Sequence, residues 1–401
     1  MNTISNSSLR NVLKAVWFTP GYGSNDRRTV WGLPLMLVGD PGTGKTAMVC
    51  AEAAALGLGV KVNIASISDP TDYGGIPVAP DDGSRWAKML MPQWAREVFV
   101  DWKGGGVLVF DEFTTVPQSV QAALLRVVLE RYVADERLPD RVRVVAAMNP
   151  PEQAAGGCPL SLPMVNRFGH FTVQPADMAD WFSILRGEFY AEQPLDADAE
   201  EARVLAAWPA AYGQALSLVQ GFLTRRPDAA QRTPKVGTPQ AEAPWTSRRS
   251  WEFAARALAA ATVHGLDGDE RDSLLSAYLG DATAVEFVAW LRDADLPDPA
   301  QVLDGYVQWI AKTHRPDRTL AFVTGATTLV LRTGDAAVRT ARARVLWTIL
   351  GAMTDTPDLA LESVTRLSSP TSGVAALPEA MPARRAMLDV ARAVQVGGLR
   401  R

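Results

Sequence analysis

Short apolar runs alternate with helical patterns along the first 175 residues of the chain. The runs are rich in Val and Leu and lie at 35–38, 60–64, 107–110 and 142–148. Apolar residues recur at helical spacing between them, over 46–56 and over 117–130. Apolar strands that alternate with helices are typical of a parallel sheet whose two faces are covered. The pattern therefore predicts an α/β fold for this part of the chain.

Beyond Phe171 the pattern becomes helical and alanine-rich, with few candidate strands. Residues 225–244 are rich in proline and polar residues, which predicts a linker or a surface loop. A second helical block follows from Ser247 to the last residue. The uncharged stretch 204–224 contains Pro209, two glycines and several polar residues, so we expect a buried helix and no membrane span.

Composition narrows the classes of function. The chain has 401 residues, which is long for one compact domain, and 40 Lys and Arg against 44 Asp and Glu give a net charge of −4. This balance excludes a generally basic nucleic-acid coat, although not a local basic patch.

The 2 cysteines cannot form a disulfide framework and no secretory signal is seen at the start, so we predict a cytoplasmic protein. The 3 histidines are far apart, and no clustered His/Cys metal site is predicted.

A glycine-rich segment follows the first apolar run and precedes the first helical pattern. It reads Gly39-Asp40-Pro41-Gly42-Thr43-Gly44-Lys45-Thr46, which matches G-x-x-x-x-G-K-[ST] in full. In such a P-loop the glycines let backbone N–H groups surround a phosphate, and the helix N-terminus adds a positive dipole end. Lys45 would reach the β- and γ-phosphates of ATP, and the Thr46 hydroxyl would bind Mg²⁺. The alternative is a glycine-rich turn that contains a lysine by chance.

Two carboxylates, Asp111 and Glu112, follow the apolar run 107–110. A hydrolytic nucleotide site needs one carboxylate near the metal and one group that orients water. Adjacent side chains at a strand end point to different sides, so the two can take separate roles. We predict that Asp111 helps to hold Mg²⁺ and that Glu112 polarises the attacking water; the alternative is an ordinary acidic turn.

These motifs, in this order, resemble those of the AAA+ ATPases, in particular the MoxR and dynein-related branch. The resemblance covers about residues 10 to 260. It implies that Asn149, at the end of the fourth apolar run, is the sensor 1 residue. It also implies that Arg167, within Val165-Asn166-Arg167-Phe168, is an arginine finger for a neighbouring subunit; here Asn166 stands where Asp is commoner. Without the family, a surface arginine in a salt bridge would be the default for Arg167.

The segment Ser247-Arg248-Arg249-Ser250-Trp251 is similar to the sensor 2 segment of the family. The alignment assigns sensor 2 to Arg249, with Arg248 where proline is expected, and the choice between the two arginines stays open.

Two hairpins also resemble the family. The segment from Ile76 to Met89, with its turn at 81–83, is similar to the insertion in the second helix, and residues 130–139 to the hairpin before sensor 1. For both, the alternative is a surface hairpin that contacts no substrate. Nearby, Tyr73 is either an exposed aromatic of a pore loop or a packing residue.

The resemblance implies a P-loop core with a three-layer parallel sheet, then an all-α lid and an additional helical C-terminal region. We divide the chain accordingly into an ATPase core over 1–175, a lid over 176–265 that carries the 225–244 linker and sensor 2, and a helical region over 266–401 whose role is open.

The function implied is a ring-forming ATPase, a hexamer in the family, that uses ATP and Mg²⁺ to remodel, assemble or activate a protein client. MoxR-type proteins often act with a partner that carries a von Willebrand A domain. A second hypothesis is a nucleic-acid translocase or restriction-type motor, against which the acidic balance and the lack of a basic stripe argue. A third is a nucleotide-gated scaffold with negligible hydrolysis, against which Glu112 and Arg167 argue.

Overall fold

A computed structural model describes residues 3–22, 29–79, 86–102, 105–150, 153, 159–186, 195–294, 296–309 and 315–385. The chain divides into two compact units. The first comprises Met1–Trp208 and Gln231–Val285, and the second Pro209–Ala230 and Glu286–Arg401. The three-part division drawn from the sequence stays a prediction, because compactness alone does not define a lid or its role.

The strands are, in chain order, β1 (Thr3–Ile4), β2 (Pro20–Tyr22), β3 (Thr29–Trp31), β4 (Leu35–Val38), β5 (Gly59–Ile64), β6 (Ile76–Val78), β7 (Lys88–Leu90), β8 (Gly106–Asp111), β9 (Tyr132–Val133), β10 (Glu136–Arg137), β11 (Val142–Met148) and β12 (Gly169–Val173).

The α-helices are α1 (Asn6–Trp17), α2 (Lys45–Ala55), α3 (Thr71–Gly74), α4 (Gln118–Leu125), α5 (Leu162–Val165), α6 (Met178–Leu185), α7 (Ala197–Arg225), α8 (Arg248–His264), α9 (Gly268–Leu279), α10 (Asp281–Ala294), α11 (Pro299–Leu303), α12 (Pro316–Arg332), α13 (Ala336–Gly351) and α14 (Pro357–Leu367).

The first unit is built on a six-stranded sheet in the order β1-β12-β4-β11-β8-β5, and every pair in it is parallel. The central strands β4, β11 and β8 are almost entirely buried, which explains why their sequences are apolar apart from Arg143 in β11 and Asp111 at the end of β8. The predicted α/β fold is confirmed, and the four predicted strands correspond to β4, β5, β8 and β11. Sequence analysis missed β12, because Gly169, His170 and Thr172 interrupt its apolar residues.

Two further predictions can be compared with the fold. The helix predicted over 46–56 is α2, and the one over 117–130 is α4 followed by a π-helical turn over Arg126–Glu130. Both hairpins are present as antiparallel pairs, β6 with β7 and β9 with β10. The predicted turn at 81–83 lies outside the described residues.

The second unit is helical, as predicted for the C-terminal part of the chain. Its buried core draws on α11 to α14 and includes Phe322, Leu346, Trp347 and Val364. Within the residues that the structure describes, none of the helices combines the length and apolar character needed to cross a lipid bilayer. The stretch 204–224 lies inside α7, in agreement with the helix predicted there, but the prediction that it is buried is only partly right, because Leu205 and Leu216 are exposed.

One charged residue, Arg143, interrupts the buried run of β11, and none of its surface is exposed (0%). Its guanidinium forms a 2.8 Å ion pair with Glu201 at the start of α7 and donates hydrogen bonds to the carbonyls of Trp17 and Arg141. Burial lowers the pKa of Arg143 to about 10, against the opposing effect of Glu201. The Arg143 charge is thus buried together with its ion-pair and hydrogen-bond partners, and the ion pair with Glu201 connects β11 to α7.

We expect Glu201→Ala to lower the free energy of unfolding by about 3–5 kcal/mol, because it leaves Arg143 buried without its counter-charge. Glu242→Ala is the matched control, since Glu242 is exposed and should change the stability by less than about 0.5 kcal/mol. Urea denaturation followed by circular dichroism measures both. Equal stability of the two variants would show that the ion pair contributes nothing.

Candidate nucleotide-binding site

The P-loop connects the end of β4 to the start of α2. Gly42 and Gly44 have φ angles of +79° and +81°, in the left-handed region that glycine adopts without strain. A Cβ at either position would meet no atom within 4 Å, so the loop backbone there is open. A Cβ at Gly39 would lie 2.8 Å from the carbonyl oxygen of Val173, so this glycine allows the close approach of β12. The loop can therefore present backbone N–H groups and a helix N-terminus to a phosphate.

Lys45 is the first residue of α2, and its side chain is buried. Its Nζ donates hydrogen bonds to the carbonyls of Gly39 (2.7 Å) and Asp40 (3.0 Å) and to Oδ1 of Asn149 (3.1 Å). Burial lowers the pKa of Lys45, and the nearby charges of Asp111 and Asp40 oppose that shift. The structure thus brings together Lys45 and the predicted sensor 1 residue.

Thr46 and Asp111 form the second contact between predicted site residues. The Thr46 hydroxyl donates a 2.6 Å hydrogen bond to Oδ2 of Asp111, at the end of β8. A hydroxyl and a carboxylate oxygen side by side are the hard oxygen ligands that Mg²⁺ prefers. These two residues therefore fit the predicted metal role, alongside the P-loop.

Glu112 has a φ angle of +53°, which is unusual for a residue other than glycine. Its backbone N–H donates to Oδ1 of Asp111 (2.8 Å), and Oε2 accepts a 2.5 Å hydrogen bond from the hydroxyl of Ser66. The backbone thus turns sharply after Asp111, and the two carboxylates make separate contacts, as predicted from their adjacent positions.

Sequence analysis missed two residues that hold the predicted ones. Ser66, just after β5, contacts Glu112, and Thr114 exchanges hydrogen bonds of 2.9 Å with the backbone of Asn149 in both directions. Thr114 lies two residues after Glu112, and this closeness in the sequence to the two carboxylates could have identified it as a residue of the site. Ser66 offers no such signal, because only the pairing of β5 with β8 places it there.

The remaining predicted residues, Arg167 and Arg249, lie near one another. Burial lowers the pKa of Arg167, and the neighbouring charge of Arg249 lowers it further, while Glu130 opposes the shift. Arg167 donates a hydrogen bond to the carbonyl of Pro163. Across the described parts of the chain, no hydrogen bond or ion pair links either arginine to the P-loop.

The hairpin of β6 and β7 carries exposed apolar side chains, Ile76, Trp86 and Leu90. Tyr73, by contrast, is only 2% exposed, and its ring lies 5.6 Å from that of Phe110. The interpretation of Tyr73 as an exposed pore-loop aromatic is wrong, because its ring belongs to the core of the first unit. The alternative interpretation, a packing residue, is confirmed.

Comparison with known proteins identifies the domain that carries the site. Residues 34–168 match the family model described as AAA domain (dynein-related subfamily). Among curated proteins, midasin from Giardia intestinalis is 27% identical over 164 residues, which cover 39% of this chain and 3% of midasin. The chain therefore corresponds to a small part of that relative.

Among solved structures, a candidate ATPase from Cytophaga hutchinsonii is 18% identical; the match covers 70% of this chain and 82% of that protein, with a TM-score of 0.45. The family match spans β4 with its P-loop, the carboxylates that end β8, and Asn149 after β11, which are the elements that form the site. The resemblance to the dynein-related branch of the AAA+ ATPases, and the ATP hydrolase activity that it implies, are thus confirmed for the domain over residues 34–168.

Proposed function

We propose that the chain forms an ATP-dependent ring and couples ATP hydrolysis to the remodelling, assembly or activation of a partner protein. The observation that carries this proposal is the separation of the site residues. Lys45 contacts Asn149 and Thr46 contacts Asp111, whereas among the described residues no hydrogen bond or ion pair links Arg167 or Arg249 to either pair. A site that needs an arginine from outside its own subunit depends on assembly.

In this mechanism the P-loop, residues 39–46, holds the phosphates of ATP. The Lys45 ammonium stabilises the negative charge on the β- and γ-phosphates. Asn149 lies within hydrogen-bond distance of Lys45 and so orients the nucleophile or the γ-phosphate beside it. Thr46 and Asp111 would hold Mg²⁺, which neutralises charge on the phosphates when bound.

Glu112 orients the attacking water and accepts its proton. Its carboxylate is held by Ser66, so the direction in which it points is set by the strand β5 as well as by β8. Arg167 of a neighbouring subunit stabilises charge on the transferred phosphoryl group, a contribution that can reach about 10³–10⁵ in rate. Arg249 is the proposed sensor 2 residue on the alignment with the family, and its charge also acts on Arg167.

The client is a protein, and the exposed apolar hairpin of β6 and β7 is a surface that could contact it. We further propose that an adaptor with a von Willebrand A domain delivers the client, as in proteins that this chain resembles. The cytoplasmic setting inferred from the cysteine content stays a prediction.

Lys45 and Glu112 should contribute to turnover in different ways. We expect Lys45→Ala to weaken ATP binding by roughly 100-fold or more, because it removes a buried charge-assisted contact. Glu112→Gln should bind ATP as the wild type does and lower kcat by about 10²–10⁴. Calorimetry and a phosphate-release assay measure the two effects, with exposed Lys235→Ala as the control. Equal ATP affinity in the wild type and Lys45→Ala would rule out the assigned phosphate site.

ATP should convert small oligomers into a closed ring, which we expect to be a hexamer. Sedimentation velocity of Glu112→Gln with Mg²⁺ and ATP tests this, because that variant should retain the nucleotide. The double variant Lys45→Ala/Glu112→Gln is the control and should stay small. A wild type that is monomeric at high concentration and fully active would contradict the ring.

Mixing two inactive variants should separate a role of Arg167 in a neighbour's site from a role in its own subunit. Arg167→Ala and Lys45→Ala subunits should each be inactive, yet mixed rings should regain activity at about a quarter of their interfaces, where both groups are intact. Differently tagged subunits first establish that both variants enter one ring. Verified mixed rings without recovered ATPase activity would remove Arg167 from the site.

A further inference from the structure

Asn166, the residue before Arg167, joins two segments that are far apart in the sequence. Its side chain is 6% exposed. Nδ2 donates a 2.9 Å hydrogen bond to the carbonyl of Trp245, and Oδ1 accepts a 2.7 Å hydrogen bond from the hydroxyl of Ser247. The loop that ends in Arg167 is therefore fastened at two points to the chain that leads into α8.

Ser247 is also the N-cap of α8. Its Oγ accepts a hydrogen bond from the backbone N–H of Ser250 (3.2 Å), and its own N–H donates to Oγ of Ser250 (2.7 Å). A serine hydroxyl has one proton to donate, and here that proton goes to Asn166. The start of α8, which carries Arg249, is thus fixed by the same hydroxyl that contacts Asn166.

The chemistry of the contact requires an amide at position 166. Trp245 offers a carbonyl oxygen, which needs a donor, and Ser247 offers a hydroxyl proton, which needs an acceptor. An amide supplies both, whereas an ionised aspartate supplies acceptors only and would place negative charge against the carbonyl of Trp245. This explains why asparagine suits this chain although aspartate is commoner in the family.

The two arginines that these segments carry repel one another. The charge of Arg249 acts on Arg167 strongly enough to lower its pKa, in addition to the larger effect of burial. Like charges close together repel, and a fixed backbone limits how far the two side chains can separate. The two hydrogen bonds of Asn166 join those two backbone segments directly.

We propose that Asn166 is a positioning residue for the arginine finger. By fastening its loop to the start of α8, it fixes the place from which Arg167 reaches the nucleotide of a neighbouring subunit. This inference rests on the proposed function of Arg167 and adds to it a requirement for the amide group next to the finger.

Asn166→Asp keeps the size of the side chain and removes the donor. We expect kcat for ATP to fall about 10–100-fold with KM changed less than about twofold, because misplacement affects the transition state more than ground-state binding. Ser247→Ala should act in the same direction. Asp267→Ala is the matched control, since Asp267 caps α9 in the same unit through an equivalent capping box that contacts neither arginine.

Both cap variants, Ser247→Ala and Asp267→Ala, should lower Tm by a similar few degrees, about 2–4 °C. Only Ser247→Ala should also lower kcat. If Asn166→Asp does not fold, the comparison of these two variants still decides: equal kcat in both overturns the inference. Wild-type kcat in a folded Asn166→Asp overturns it too.

Mixed rings show whether the defect lies on the arginine side of the interface. Asn166→Asp subunits keep their own phosphate pocket, so mixing them with Lys45→Ala subunits should restore as much activity as mixing Arg167→Ala with Lys45→Ala. Recovery with Arg167→Ala but none with Asn166→Asp would overturn this inference and leave the proposed function intact. Recovery in neither mixture would reject both.

Discussion

The parallel pairing of β11 with both β4 and β8 is the constraint on which the site depends. The register sets Met148 beside Val38 and Ala146 beside Phe110, so three strands end at one edge of the sheet. The P-loop, the pair Asp111 and Glu112, and Asn149 each lie at one of those ends. Parallel strands deliver such residues to one edge without any long-range contact between the side chains themselves. The backbone therefore places these residues close together, and the hydrogen bonds among them fix the positions of their side chains.

Much of this arrangement could be predicted from the sequence because its signals are local. The apolar runs at 35–38 and 142–148 match β4 and β11 residue for residue, and the P-loop is a contiguous motif. The order of strands in the sheet, and hence the contact between Lys45 and Asn149, could not be predicted from these local signals. Strand β12 was missed because its polar residues resemble those of a loop.

Residues whose role depends on tertiary contacts could not be predicted. Ser66 is an unremarkable serine until β5 is placed beside β8. Tyr73 looked suited to an exposed loop because it precedes two glycines, yet its ring packs on Phe110. Asn166 was visible as a departure from the family, but its partners, Trp245 and Ser247, are about eighty residues away in the sequence. Contacts between residues so far apart in the sequence leave no pattern in the intervening chain, so sequence analysis cannot predict them.

The backbone conformation of Glu112 lowers the stability of the whole protein. A residue with a Cβ held in the left-handed region gives up roughly 1–2 kcal/mol, which glycine at the same position would not lose. A chain selected for stability alone would therefore place glycine after Asp111. In the proposed mechanism the carboxylate of Glu112 activates water, so the residue that this mechanism needs also lowers the stability of the fold. The proposed activity and the stability of the fold therefore make opposite demands on the residue that follows Asp111.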